Sequence, residues 1–219
     1  MHPTLDHNTR TDGTASVLLA TLERTWHAIR QGHAEVPDAV LVVASGTDGK
    51  RLNLGHFAAH RWQVHGSDHH EVLVGGEGLH RGAQEVLGTL LHEAGHGLAQ
   101  ARGVQDTSRG GRYHNRRYAQ LARELGLEVA SQPPIGWSAT TVPEPTTDRY
   151  AAQLQELRAA LVLWRRREQR AGTGATARNL LACTCGCGRR IRVAPATLAQ
   201  APILCAGCTQ PFLPTNPNR

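Results

Sequence analysis

The chain has 219 residues, with 24 Lys and Arg against 18 Asp and Glu and 40% hydrophobic residues. That size suits one main domain with a small appendix and is enough to bury a core without disulfides. No run of about eighteen apolar residues occurs, which excludes a membrane-spanning helix. The polar segment 1–10 lacks the apolar stretch of a secretory signal, so a cytoplasmic location is expected, with cysteines reduced and open to metal. The net charge is +6, and Lys50 is the only Lys; the rest of the positive charge is Arg, the better fork for phosphate.

In chain order, the first predicted element is a helix over 16–30, where Val17, Leu18, Leu19, Leu22, Trp26 and Ile29 form a stripe at helical spacing. Strands are expected over 39–44, over 56–64 and over 71–74. The first of these closes on the turn Ser45-Gly46-Thr47-Asp48-Gly49, and the polar run 65–70 divides the other two. His69 and His70 in that run read as an exposed pair in a turn. By position, 71–74 is the edge strand before the next helix, where an extended peptide would pair main chain to main chain.

The next segment is the most informative. Thr89-Leu90-Leu91-His92-Glu93-Ala94-Gly95-His96 carries the HExxH pattern on a stretch where Val86, Leu87, Leu90, Leu91, Ala94 and Leu98 line one helical face. Four residues of helix separate the two His by one turn and about 40° of rotation, so both imidazoles can share an ion. Glu93 then sits where its carboxylate can take a proton from an activated water. A catalytic zinc needs a third protein ligand. The metzincin pattern fails, because Ala99 and Arg102 stand where Gly and His are required and Met1 is the only Met. Glu124, on a later helix, is an open but weaker candidate. The stronger one is His114 in Gly110-Gly111-Arg112-Tyr113-His114-Asn115-Arg116-Arg117-Tyr118, where a Gly-rich loop opens a second helix that can face the first.

These two segments resemble the active-site helix and third-ligand segment of the SprT-like metallopeptidases, which include the Spartan proteases that degrade DNA-crosslinked proteins. The resemblance implies a zincin-like α+β domain with His92, His96 and His114 as zinc ligands and Glu93 as the base. It covers most of the chain from about residue 16. Tyr113 and Tyr118 flank the third ligand and are candidates for the oxyanion donor, although Tyr118 lies on an apolar helical stripe.

Breakers crowd Ser131-Gln132-Pro133-Pro134-Ile135-Gly136-Trp137 and Pro143-Glu144-Pro145, and the compact core is expected to end nearby. A helix is expected over 148–170, then a flexible linker at Gly172-Thr173-Gly174-Ala175-Thr176. All five cysteines follow, as Cys183-Thr184-Cys185-Gly186-Cys187 and Cys205-Ala206-Gly207-Cys208. Two close-set groups about twenty residues apart have the spacing of a zinc ribbon, and SprT-like proteins often end in one. Three cysteines compete for two places in the first knuckle; on the ribbon register Cys183 and Cys185 are favoured, with Cys187 as the alternative. Ile191-Arg192-Val193 and Pro202-Ile203-Leu204 would be the ribbon strands.

The expected organisation is an N-terminal tail over 1–15, a metallopeptidase domain over 16–145, a helix and linker over 146–178, and a zinc ribbon over 179–219. Two zinc ions are expected, one catalytic and one structural. Arg112, Arg116 and Arg117 beside the proposed site, and Arg189, Arg190 and Arg192 in the ribbon, are candidate contacts for DNA, bound through its backbone without reading sequence. The expected function is zinc-dependent peptide-bond hydrolysis, with DNA-associated proteins as the substrate class that the resemblance suggests. Two rivals stand beside it. One is a regulatory protease dedicated to one repressor. The other is a non-catalytic DNA-binding module whose HExxH zinc is structural and closed by a fourth ligand such as Asp106.

Overall fold

A computed structural model describes residues 12–48, 51–167 and 180–215. The chain is of mixed α+β architecture and divides into two compact units, 1–167 and 168–219. The stretch 168–179, which holds the expected linker and the end of the helix expected to reach 170, lies outside the described residues.

The first unit opens with α1 (Thr14–Gly32). Its buried face carries Leu18, Leu22, Trp26 and Ile29 together with Thr21 and Thr25, whose hydroxyls donate to the carbonyls of Val17 and Thr21, both at 2.8 Å. That pairing one turn back lets two polar side chains sit on an apolar stripe. There follow β1 (Ala39–Ala44), the short pair β2 (Thr47–Asp48) and β3 (Arg51–Leu52), β4 (Gly55–Val64) and β5 (Ser67–Gly75). The principal sheet has the order β1-β5-β4, with β1 parallel and β4 antiparallel to β5. Val72 and Val74 of β5 and Leu41 of β1 are buried in the core that α1 also enters. The polar run 65–70 is thus mostly strand, because β5 extends back to Ser67 and pairs across a tight hairpin.

This order corrects the expectation for the edge strand. The segment 71–74 belongs to β5, which is paired on both sides, and β1 and β4 are the edges, β4 being the one that packs on the next helix.

A 3-10 turn (Gly76–Arg81) leads into α2 (Ala83–Ala101). Val86, Leu87, Leu90, Leu91, Ala94 and Leu98 are all buried, each contributing about 1.5–3 kcal/mol for a fully buried leucine or valine and less for Ala94. The helix packs on β4, α3 and α5, where α3 is Arg116–Glu124 and α5 is Ala151–Ala160. At Gly95 a methyl group would stand 3.1 Å from the ring of Tyr118, so the small residue lets α3 approach. A second sheet is formed by β6 (Thr107–Ser108), β7 (Tyr113–His114), β8 (Glu128–Gln132) and β9 (Gly136–Thr141), in the order β6-β7-β9-β8.

The breaker-rich stretch after Val129 does not end the core. It turns the chain back as β9, and α4 (Glu144–Arg149) and α5 then bring Tyr150, Leu154, Leu157 and Ala160 into the same core as α1. The single helix expected over 148–170 is therefore two short helices followed by an irregular return over 161–167. Arg165 fixes that return: its backbone N–H donates to the Gly76 carbonyl at 3.0 Å, and its guanidinium donates to Glu77 at 2.9 Å. Glu77 is 3% exposed and also accepts from the Gly46 N–H at 2.8 Å and the hydroxyls of Ser45 and Thr47. Burial opposes its ionisation, and these donors outweigh it, holding the carboxyl down at about 2.

The second unit is a three-stranded sheet in the order β11-β10-β12, with β10 at Leu181–Thr184, β11 at Arg190–Val193 and β12 at Leu213–Pro214, plus a one-and-a-half-turn helix α6 (Pro195–Gln200). Of the expected strand at 202–204, only a single bridge from Leu204 to Pro211 forms. Cys183, Cys185, Cys205 and Phe212 make a small core of their own.

Candidate metal centres

His92 and His96 leave α2 on one side, and β7 delivers His114 against them. The Asn115 side chain accepts from the N–H groups of Arg117 and Tyr118, starting α3 immediately after the third histidine. The His114 backbone is held by its N–H to the Ile135 carbonyl at 3.0 Å. The result is a convergence of three Nε2 atoms: His114 lies 3.3 Å from His92 and 3.1 Å from His96. Four donors set tetrahedrally at the zinc–nitrogen length stand roughly 3.3 Å apart, so the three imidazoles have the spacing of ligands around one small ion, and the three residues form a metal-capable group.

The outer nitrogens determine how the rings are held. His96 Nδ1 donates to Asp106 at 2.5 Å, which fixes the tautomer and leaves its Nε2 lone pair facing the centre. Burial alone would lower the His96 pKa, but Asp106 and the charge of Glu93 more than offset it, so it is raised. His92 and His114 are pushed the other way, foremost by burial and then by their imidazole neighbours: His92 well down and His114 to about 4. Neutral imidazoles are the form that ligates. His92 Nδ1 faces the Thr140 hydroxyl at 3.5 Å. Beneath the three rings lies Tyr118, fully buried, with its ring centre 4.6 to 4.9 Å from each. Its hydroxyl is directed at the His92 carbonyl at 3.4 Å, so it packs beneath the site and does not line the groove. Tyr113 lies under the Arg109 guanidinium at 5.0 Å and does not line the groove.

Glu93 is 4% exposed. Burial pushes its carboxyl up to about 7, against the lowering effect of His96 and of the Phe57 backbone N–H on β4. A methyl group at Gly55 would stand 2.5 Å from Glu93 Oε1, so the start of the edge strand passes directly over the carboxylate. Beside it runs a groove of about 470 Å³. One wall is Leu52 to Gly55, the other Ser138 to Val142, and His92, Glu93 and His114 line its floor.

Glu124 is not part of this centre; it pairs with Arg102 at 2.7 Å on the surface, as does Glu35 at 2.5 Å. Asp106 contacts Nδ1 of His96 and not the converging nitrogens, so the structure does not offer it as a fourth ligand. His69 and His70 form no metal group among the described residues. Arg112, Arg116 and Arg117 are exposed in the first unit, and Arg189, Arg190 and Arg192 in the second. Sequence reasoning missed Gly55, Ser138 and Thr140, and with them the whole β9 wall, although Trp137-Ser138-Ala139-Thr140-Thr141-Val142 carries a strand signal in its β-branched residues.

The second centre gathers Cys185, Cys187, Cys205 and Cys208. The sulfurs of Cys185 and Cys187 are 3.3 Å apart and those of Cys187 and Cys205 3.8 Å, against roughly 3.8 Å for thiolates set tetrahedrally at the zinc–sulfur length. The favoured assignment of Cys183 is therefore corrected. Cys183 lies inside β10, paired with Ile191 and Pro214, fully buried with its thiol toward the Leu181 carbonyl. Cys185 instead opens a tight turn, closed by Gly188 N–H to the Cys185 carbonyl at 3.0 Å, which carries Cys187 to the same point. Backbone N–H groups of the second knuckle, that of Gly207 foremost, lower Cys205 to about 6, and the Gln210 N–H lowers Cys208. Thiolate is the ligating form.

No helix among the described residues is long and apolar enough to cross a membrane. Compared with known proteins, the chain matches no family model, no curated protein and no solved structure.

Proposed function

We propose that the protein is a zinc-dependent endopeptidase of SprT-like, zincin type with a C-terminal four-cysteine zinc ribbon. The observation that carries this reading is the joint placement of three converging imidazole nitrogens and a buried Glu93 in the floor of a groove with an edge strand for its wall. Three protein ligands leave one position open, which is the pattern of catalytic sites; structural sites are closed by four. A zinc ion held by His92, His96 and His114 would supply Lewis acidity toward a carbonyl and would acidify a water toward neutrality. Glu93 would be the residue that holds a proton taken from water and passes it to the leaving amine nitrogen. Leu52 to Gly55 and the β4 edge bind an extended substrate by main-chain pairing, the role first assigned to 71–74. The exposed arginines of both units fit DNA-associated proteins as substrates, with the backbone phosphates as the common contact.

The test is zinc stoichiometry and cleavage of casein or histone, with and without single-stranded DNA, for the wild type, Glu93→Gln and His114→Ala. Two zincs in wild type and Glu93→Gln, one in His114→Ala, and activity in wild type alone are expected. Undiminished cleavage by Glu93→Gln refutes the mechanism. Two tightly held zincs with no cleavage of any substrate favour the non-catalytic binding module, and cleavage of one protein alone favours the dedicated regulatory protease.

A further inference from the structure

Each of the three metal-facing histidines has a second ring nitrogen, and the three are not treated alike. His96 Nδ1 is bonded to Asp106 at 2.5 Å, and His92 Nδ1 faces the Thr140 hydroxyl at 3.5 Å. His114 Nδ1 is closed off from solvent with no hydrogen-bond partner among the described residues. A buried N–H without an acceptor costs about 1–3 kcal/mol, and metal-ligating histidines almost always donate this proton. One other side-chain atom at the site has the complementary deficit. The hydroxyl of Ser138 is equally closed off and equally without a partner.

Their places in the fold put the two residues on neighbouring strands of one groove. His114 lies on β7 and Ser138 on β9, neighbouring strands joined at the pair His114 and Gly136, and both residues line the same groove. Between the pairs Ala130 with Ala139 and Gln132 with Gly136, β9 advances three residues while β8 advances two. The extra residue is a bulge at Trp137 and Ser138, the device by which a strand re-aims a side chain beside a functional site. Thr140, two residues on, already serves His92 from the same strand.

We infer that Ser138 is a positioning residue for the metal centre, its hydroxyl accepting the His114 Nδ1 proton directly after a torsional change or across one bridging water. The inference rests on the zinc-ligand reading of His114. With it, β9 becomes the strand that orients two of the three ligands, while Asp106 orients the third. Ser138 does not touch the reacting atoms.

Zinc affinity of the full chain, read by competition with a chromophoric chelator, tests it, with His114→Ala identifying the histidine site. Ser138→Ala is expected to weaken that site about 10-fold and leave the cysteine site unchanged; Ser138→Thr, which keeps the hydroxyl, restores wild-type affinity. The zinc-free Ser138→Ala protein is expected to melt no lower than wild type, since in the zinc-free structure the hydroxyl removed has no partner among the described residues. Wild-type zinc affinity in Ser138→Ala overturns the inference. So does weakened affinity that Ser138→Thr does not restore and that comes with a lower melting point. Should Ser138→Ala fail to fold, long-range proton–nitrogen NMR of the zinc-loaded wild type decides: a protected His114 Nδ1 proton supports the inference, and a rapidly exchanging one overturns it. If instead His114→Ala binds as much zinc as wild type, the zinc-ligand reading itself fails, whatever Ser138 does.

Discussion

Replacing Gly55 with Ala tests whether the edge strand sets the position of Glu93. The new methyl carbon would lie 2.5 Å from Glu93 Oε1, 2.7 Å from Thr89 Cγ2 and 3.0 Å from Glu93 Cγ. Gly55 is not among the glycines with positive φ, so the substitution introduces a clash and no backbone strain. Carbon contacts relax to about 3.5 Å or more, which requires the Glu93 carboxylate to move by about 1 Å. Glu93 is buried beneath the strand, and overpacking of this kind costs about 1–3 kcal/mol of stability. A misplacement of about 1 Å in a reacting group costs roughly 10²-fold in rate. The expected outcome is a folded Gly55→Ala protein that keeps two zincs, with kcat on a peptide substrate reduced by about two orders of magnitude. Adding Thr89→Ser removes the second clash and leaves the first, so it is expected to recover part of the lost stability without restoring kcat. Wild-type kcat in Gly55→Ala, or full recovery of kcat in the double variant, would refute the argument that the missing side chain at Gly55 makes room for the Glu93 carboxylate.

Tyr118→Ala removes the floor under three imidazoles and is expected to destabilise the protein by about 3–5 kcal/mol with loss of the histidine-bound zinc; Tyr118→Phe gives up one long hydrogen bond and is expected to cost under about 1 kcal/mol with activity retained, both read by denaturant unfolding. For Glu77, the folded-state pKa of about 2 lies below the ordinary 4.5, so its contribution is complete above 4.5 and is lost as pH falls toward 2. Glu77→Gln is therefore expected to be less stable than wild type at neutral pH, and the gap between their urea midpoints is expected to close on titrating from pH 5 to about 2; a gap independent of pH would contradict the assignment. Cys187→Ser is expected to release the second zinc while Cys183→Ala retains it, measured by metal analysis; the reverse result would restore the Cys183 assignment.

What could be read from the sequence follows from what is local. The i and i+4 histidines face one point because a helix makes them do so, and Leu90, Leu91, Ala94 and Leu98 declared which face was buried. Tyr118 was legible as core for the same reason. The edge strand was misplaced because burial pattern and chain order cannot reveal that β5 lies between its neighbours; a strand's hydrogen-bonding partners are set by topology. The stretch with Pro133, Pro134 and Gly136 looked like an ending because breakers mark any change of direction, and here the chain reverses into the groove wall.

The cysteines show the same division. Spacing identified the two knuckles, but the choice among Cys183, Cys185 and Cys187 depends on where β10 stops and the turn begins, and Thr184 ends the strand just before Cys185. Metal ligands are the readable part of a site because an ion requires several of one residue type at close spacing. The groups that hold those ligands in register have no such requirement. Asp106 reaches His96 from ten residues away and Thr140 reaches His92 from forty-eight, and neither spacing means anything until the chain has crossed over itself. The capacity of this centre to hold an ion is therefore a property of the fold around it: His92, Glu93 and His96 could be kept unchanged while a shift of β9 or of the Asp106 loop altered how firmly an ion is held.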